Sequence, residues 1–277
     1  VADQDWSLFC PTQVNLMDVH SDTFKIRYED AEREGKAVRT VKARALWDKI
    51  IRSQIETGTP YMLFKDTINR HSNQSHLGTI RTSNLCAEIV EFSSRHEIPV
   101  CTLSSIALPK FVQNQQFDFD TFGRVVEQVV YNLDRVVDTT YYPLKETRLS
   151  NERHRNLGIG VQGLSDVFQM LDMDYESEAC VAFDALMFEC MYFHALTASC
   201  KLAEAHGPHP SYSGSPMSMG VLHHDTYGVP DSPRFEWATL RRKIAKHGVR
   251  HAHLIALMPT ASTAQILGNS EGMEPRT

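Results

Sequence analysis

Three short stretches carry residues whose types and spacing can do chemistry. In Ser83-Asn84-Leu85-Cys86-Ala87-Glu88, an amide, a thiol and a carboxylate stand two residues apart. Alternate residues of an extended chain share a face, but on a flat strand Asn84 and Glu88 would be about 13 Å apart. One small ligand meets all three only where the segment bends, as at a loop tip; otherwise the stretch reads as a half-solvated strand with an incidental cysteine. In Met258-Pro259-Thr260-Ala261-Ser262-Thr263-Ala264-Gln265, small and hydroxylated residues stand between an apolar run and a helix-like run. Free N–H groups at a helix N-terminus, with Thr and Ser hydroxyls, make an anion site that needs no lysine; plain N-capping by Ser262 or Thr263 uses the same residues. The third stretch, Gly158-Ile159-Gly160-Val161-Gln162-Gly163, satisfies G-x-G-x-x-G. A dinucleotide fingerprint needs an apolar strand just before it, whereas Asn151-Glu152-Arg153-His154-Arg155-Asn156 is polar and charged. The glycines read instead as a lead into a helix beginning near Leu164, where they permit close backbone packing.

The elements that must position these residues belong to a chain of 277 residues, 42% apolar and 22% charged, with a net charge of −6. That length predicts one or two domains with a core that needs no disulfide or metal staple. The mildly acidic balance gives no continuous cationic surface for nucleic acid, and the uninterrupted apolar runs fall short of the roughly 20 residues of a membrane span. Six cysteines without a C-x-x-C pair fit a reducing cytosol and not a secreted disulfide framework or a zinc site. Cys180, Cys190 and Cys200, ten residues apart, rotate by about 280° net per step on a helix, so they do not share a face and read as core fillers.

Helical spacing predicts helices over 41–56, 120–138, 178–206 and 235–247, the third apolar almost all round and so buried. The cations Arg241, Arg242, Lys243, Lys246 and His247 at the end of the fourth read as a solvated face that complements the helix dipole. Residues 61–64, 85–92, 98–103 and 253–258 read as short strands, the third carrying Cys101, and 259–268 as a turn into a short helix. The first forty residues are weakly periodic, and 65–84 and 208–233 read as long connections. Long helices alternating with short apolar strands indicate α/β architecture in one domain spanning 1–277.

Taken together and in order, several stretches resemble the large, catalytic subunit of class I ribonucleotide reductase, in its eukaryotic or viral form. They are Asn84-Leu85-Cys86-Ala87-Glu88-Ile89-Val90-Glu91, Cys101, Ser150-Asn151-Glu152-Arg153-His154-Arg155, the glycine stretch with Leu164, and the run from Pro259 to Asn269. Trp6-Ser7-Leu8, Thr57-Gly58-Thr59-Pro60-Tyr61-Met62 and Gly214-Ser215-Pro216 extend the resemblance over essentially the whole chain. It implies a ten-stranded α/β barrel whose central finger loop carries a cysteine at its tip, which agrees with the bend required above. By the same resemblance, Cys86 is the thiyl-radical site that abstracts the 3′ hydrogen of a ribonucleoside diphosphate. Glu88 takes the 3′-OH proton, and Asn84 hydrogen-bonds the ribose; a carboxylate ionised at neutral pH suits such a base. Thr260, Ala261, Ser262 and Thr263 match the diphosphate cradle. Cys101 matches one member of the redox pair that forms a disulfide as two electrons pass to the substrate.

The resemblance further implies a cytoplasmic enzyme with no metal or cofactor in this chain. The radical would come from a metal-containing small subunit, two large subunits would pair as a homodimer, and thioredoxin or glutaredoxin would supply electrons; neither nucleic acid nor membrane is expected as a partner. Relative to the family, the allosteric N-terminal region with its nucleotide effector sites, the partner cysteine and the C-terminal tail are expected outside this chain, which by itself should not turn over. A non-catalytic homologue that serves as an interaction or regulatory protein, and a cobalamin-dependent relative, are the alternatives; retention of Asn84, Cys86, Glu88 and Cys101 together favours the enzyme.

Overall fold

In the computed structural model, which describes residues 3–275, the chain opens with β1 (Asp5–Phe9), α1 (Ser21–Arg33) and β2 (Ala37–Lys42). β1 and β2 pair antiparallel, while Trp6, Phe9 and Phe24 gather around Tyr28. Aromatic contacts between elements, which periodicity does not register, thus organise the weakly patterned first forty residues. α2 (Ala43–Thr57) falls close to the expected range and stops at Gly58 in the left-handed conformation, φ 74°. Its amphipathic spacing buries no residue, however. Residues 61–64, expected as a buried strand, are irregular and exposed, and the polar stretch after them begins with a helix, α3 (Lys65–Arg70).

The core is built from β3 (Leu103–Ala107), the small hairpin β4 (Val112–Gln113) and β5 (Gln116–Phe117), α4 (Phe119–Thr139), α5 (Lys145–His154), β6 (Gly158–Gln162), α6 (Leu164–Met170), α7 (Glu178–His206), α8 (Trp237–His247) and α9 (Ala261–Leu267). Asp118 caps α4 by accepting from the Thr121 N–H at 2.9 Å, and the helix buries Phe122, Val126, Val130, Leu133 and Val137 along one stripe. α7 lies against α4 at close range: a Cβ at Gly123 would stand 2.4 Å from His194 Nε2, so any larger residue there would have to displace the His194 ring. By length and composition α7 would suffice to cross a membrane, yet its Phe183, Met187, Met191, Leu196, Cys180, Cys190 and Cys200 belong to the common core. On α8 the expected solvated cationic face is broken by Arg241, whose guanidinium binds Asp225 at 2.8 Å and Asp231 at 2.7 Å in the preceding connection.

β3 and β6 run parallel, with Leu103 opposite Gly158 and Ala107 opposite Gln162. Residues 253–258 join β6 through one parallel bridge, Ile159 to Ile255, in place of the full strand expected there. Two further expectations are corrected. The glycine stretch is itself the buried strand β6, not the lead into α6, and the strand expected at 98–103 starts only at Leu103, leaving Cys101 just ahead of it. The architecture is mixed α/β; among the described residues the parallel segments do not close into a barrel.

The two faces of this sheet differ. Ile106, Ile159 and Val161 point into the core shared with α4 and α7, with Ile255 and Leu257 packed against it. The opposite face carries Leu103, Ser105, Ala107, Gly158, Gly160 and Gln162, and the Gln162 amide donates across it to Ser105 Oγ at 2.9 Å. Small residues there leave room for something to lie on the sheet.

Candidate active site

Met258 and Ala256 cover Gly160 on that face, and at Gly158 it is met by Ile89 of the loop formed by residues 83–92. The expected strand at 85–92 is absent; instead the backbone folds back on itself, with the Ala87 N–H donating to the Asn84 carbonyl at 3.2 Å. Ala87 takes up a left-handed conformation, φ 68°, which a small side chain tolerates better than a branched one. Asn84 Oδ1 closes the turn by accepting from the Ile89 N–H at 3.1 Å, and Ser83 Oγ donates to the Ile89 carbonyl at 2.6 Å. The bend that a common ligand demands is therefore present, with Leu85 and Cys86 exposed at its tip. Glu88 points inward, and its Oε2 is buried without a hydrogen-bond partner among the described residues.

Gly158 ties the separate motifs together. A Cβ there would lie 2.5 Å from Leu103 Cδ2, 3.1 Å from Ala256 Cβ and 3.6 Å from Ile89 Cδ1. At this one point the loop, the strand that follows Cys101 and the segment that leads to residues 260–263 meet. Cys101 is solvent-accessible and feels its neighbours: partial burial first, and then the acidic groups around it, Glu91 foremost, push its thiol above the ordinary cysteine range. Cys86, Glu88 and Cys101 thus share one electrostatic environment.

The turn at 260–263 is less open than its composition suggests. Thr260 is buried and its Oγ1 accepts from the Gly272 N–H at 2.8 Å, while Thr263 Oγ1 donates to the Thr260 carbonyl at 2.7 Å. Thr260 stands at the N-cap of α9 without a side-chain cap, in place of Ser262 or Thr263. Ala261 and Ser262 are exposed at the start of the helix. The parallel register sets this turn beyond the C-terminal end of the third segment and Cys101 at the N-terminal end of β3, so the two lie toward opposite ends of the sheet.

Sequence reasoning missed the groups that hold this frame. Asp134 on α4 receives the Arg155 guanidinium (Nε at 2.9 Å) and His251 Nε2 (3.0 Å). Burial pushes the Asp134 carboxyl up, but His251 and Arg155 outweigh it and hold it at about 2. Glu97, in the segment between the loop and Cys101, is buried and pairs with Arg153 and with His154 Nε2 at 2.7 Å, and His154 Nδ1 meets Ser211 Oγ at 2.7 Å. The cluster of charge at 150–155 was a visible signal; its partners Asp134 and Glu97 were not. A cavity of ≈ 780 Å³ lies elsewhere, between α7 and the 223–234 connection, and includes none of Asn84, Cys86, Glu88, Cys101 or residues 260–263.

Comparison with known proteins identifies the family. The family model described as ribonucleotide reductase, barrel domain, matches residues 1–277. The chain is 52% identical over 279 residues to a ribonucleoside-diphosphate reductase large chain of Cryptosporidium parvum, covering 99% of this chain and 35% of that protein. Against the large chain of Encephalitozoon cuniculi the identity is 53% over 274 residues, and against the large subunit of Variola virus 48% over 276 residues, again covering 35% and 36% of those proteins. The chain therefore spans about a third of the length of these relatives, and it belongs to the ribonucleotide reductase barrel-domain family.

Proposed function

We propose that this chain forms the catalytic core of a ribonucleoside-diphosphate reductase large subunit, part of the family's ten-stranded barrel with residues 83–92 as its finger loop. The observation that carries the reading is the turn that exposes Cys86 at a loop tip above the glycine-bearing sheet face, with Glu88 and Cys101 in the same electrostatic environment. In this reading a thiyl radical on Cys86 removes the 3′ hydrogen of a ribonucleoside diphosphate, and Glu88 takes the 3′-OH proton. The C2′–O bond then breaks and the hydroxyl leaves as water. Cys101 and a partner thiol outside this chain supply the two electrons and two protons, one proton completing the water and the other going to C2′, and become a disulfide. Cys86 returns its hydrogen to C3′ and is left again as the thiyl radical. Asn84 Oδ1 is committed to the turn, which leaves its amide NH₂ to reach the ribose. The Ser262 hydroxyl and the backbone N–H groups of Ala261 and Ser262 would receive the diphosphate, since the hydroxyls of Thr260 and Thr263 serve the turn itself.

The same reading assigns the partners. A metal-containing small subunit generates the radical, a second large subunit completes a homodimer, thioredoxin or glutaredoxin re-reduces the disulfide in the cytoplasm, and no cofactor resides in this chain. The test is Cys86→Ser in the full-length protein assayed with its small subunit, nucleoside diphosphate and dithiol. Deoxynucleotide formation is expected to fall to background while substrate affinity stays within about twofold, since serine removes the radical chemistry and little of the contact surface. A rate near that of the parent protein rules out Cys86 as the radical site.

A further inference from the structure

The cavity of ≈ 780 Å³ between α7 and the 223–234 connection has no part in the chemistry above. Its walls are mostly apolar and aromatic: Phe188 and Tyr192 of α7, Tyr227 of the connection and Trp237 at the start of α8. Two lining side chains break that character. Asn73, 7% exposed, donates its amide to the Ala252 carbonyl at 3.1 Å. That bond fixes the orientation of the group and leaves Oδ1 buried without a hydrogen-bond partner among the described residues. His253, the residue after Ala252, keeps its Nε2 unpartnered in the same sense, so the two orphaned atoms belong to one part of the cavity. A buried acceptor left alone is costly, and it marks a place where a partner is missing. The other polar groups of the lining are already engaged. Trp237 Nε1 donates to Glu189 Oε1 at 2.9 Å, the Tyr192 hydroxyl accepts from the His223 N–H at 3.2 Å, and His224 Nε2 meets Asp231 at 2.8 Å. The connection that forms one wall is latched at several points: Arg241 binds Asp225 and Asp231, Tyr227 stacks on His71 with ring centroids 4.0 Å apart, and His71 Nδ1 meets Thr226 Oγ1 at 2.9 Å. The cavity is therefore preformed, as ligand pockets commonly are.

We propose that this cavity binds a small, neutral, planar heteroaromatic molecule whose ring N–H donates to Asn73 Oδ1, at a site separate from residues 84–101 and 260–263. Flat aromatic walls favour a ring, which buries apolar area on both faces and stacks in defined geometry. The volume falls in the range that takes one small organic ligand. A net charge on the ligand is disfavoured: the lining is apolar, Glu189 already accepts from Trp237, and Arg241 neutralises the acids of the connection, so a charge brought in loses its water without gaining a free partner. Asn73 Oδ1 only accepts, so the ligand must bring the hydrogen. His253 Nε2 donates or accepts according to its tautomer, so a bare ring nitrogen on the same edge of the ligand is met by an N–H there. An azole edge, with one N–H and one bare nitrogen, answers both orphaned atoms. The site does not depend on the reaction assigned above and would be present in a chain that catalyses nothing.

The probe is benzimidazole, neutral at pH 8, with 1-methylbenzimidazole as the control that keeps the shape and lacks the N–H. Binding of each to the full-length protein is followed by ligand-observed NMR titration, with saturating nucleoside diphosphate present to keep the probe out of the substrate site. Benzimidazole is expected to bind with a Kd of about 1 mM, the range for a ligand of this size. The methyl compound should bind about tenfold more weakly, because it leaves the buried acceptor unpaired. Asn73→Leu, which removes the acceptor and keeps the size, should bring the two probes to within about twofold of each other. Because that variant also gives up the bond to Ala252, a second one leaves the bond intact: Ala185→Trp, at an exposed position of α7 that lines the cavity, should weaken both probes by about tenfold through steric clash. Absence of benzimidazole binding up to about 10 mM, well above the expected Kd, overturns the proposal, since the cavity is then closed or filled in the full-length protein. Equal affinity for the two probes in the parent protein overturns it as well. So does undiminished binding in Ala185→Trp with native circular dichroism, which would place the probe elsewhere.

Discussion

At Gly158 the site admits no side chain larger than hydrogen, because Leu103, Ala256 and Ile89 converge on it from three segments. Leu103 Cδ2 is the end of a flexible side chain and can turn away; Ala256 Cβ moves only with its backbone. Gly158→Ala is therefore expected to cost about 1–3 kcal/mol, the range for overpacking a close-packed interior, measured as a fall in the urea midpoint with an unchanged slope. Gly160→Ala should cost at least as much, since its Cβ would meet the Ala256 carbonyl oxygen at 2.8 Å and Met258 Sδ at 2.7 Å. Wild-type stability in both variants would show that the three segments are not in contact. The glycines were legible in the sequence as places of close approach. What approaches was not, because Ile89, Leu103 and Ala256 come from separate parts of the chain and are brought together by the β3–β6 pairing, the bridge from Ile159 to Ile255 and the turn of the loop.

Two buried relays hold the elements around the site. Glu97, His154 and Ser211 form one; Asp134, His251 and Ser199 form the other, with His251 Nδ1 at 2.9 Å from Ser199 Oγ. Each has the acid, imidazole and hydroxyl order of a nucleophilic triad, yet Ser199 is 0% and Ser211 6% exposed, so neither serine can meet a substrate. They act as pins: the first fixes the segment between the loop and Cys101 to α5, the second fixes α4 to the chain ahead of residues 253–258. Asp134→Asn leaves the Arg155 guanidinium short of a charge partner in a buried place, and about 3 kcal/mol of stability should be lost. Amide exchange should accelerate over 155–160 more than in α7, and equal acceleration everywhere would show that the pin is not local. Sequence pattern located α4 and α7 to within a residue or so because their periodicity, caps and stop signals all agree. It misplaced strands at 61–64, 85–92 and 98–103 because a short apolar run forms a strand only if a partner edge is available, and at 85–92 side-chain bonds from Ser83 and Asn84 turn the backbone instead.

Across the whole molecule, imidazoles buried in neutral form set the response to acid. His209 is held down to about 3, first by burial and then by its neighbours His154, His251, His253 and His76; His253 is also held at about 3, and His154 and His251 are lowered by burial. A group whose folded value is depressed gives stability that is fully present above its unfolded value, about 6.5, and is lost as pH falls toward the folded value. For His209, which is 2% exposed, the loss by pH 5 is about 2 kcal/mol. Asp134 has the same sign but acts only below about 3.8, and so contributes nothing in this window. Glu91 works in the opposite direction: its raised carboxyl costs stability above about 7, and protonation on going to pH 5 returns about 2–3 kcal/mol. That offsets one histidine, and four buried or half-buried ones are depressed. The melting temperature should therefore fall between pH 7.5 and pH 5, well above the carboxylate range. It should fall more steeply in Glu91→Gln, which lacks the compensating proton, and less steeply in His209→Asn. A parent melting temperature that is flat over this interval would mean that the imidazoles reach water in the folded state. A Glu91→Gln slope equal to the parent's would mean that Glu91 is ionised throughout.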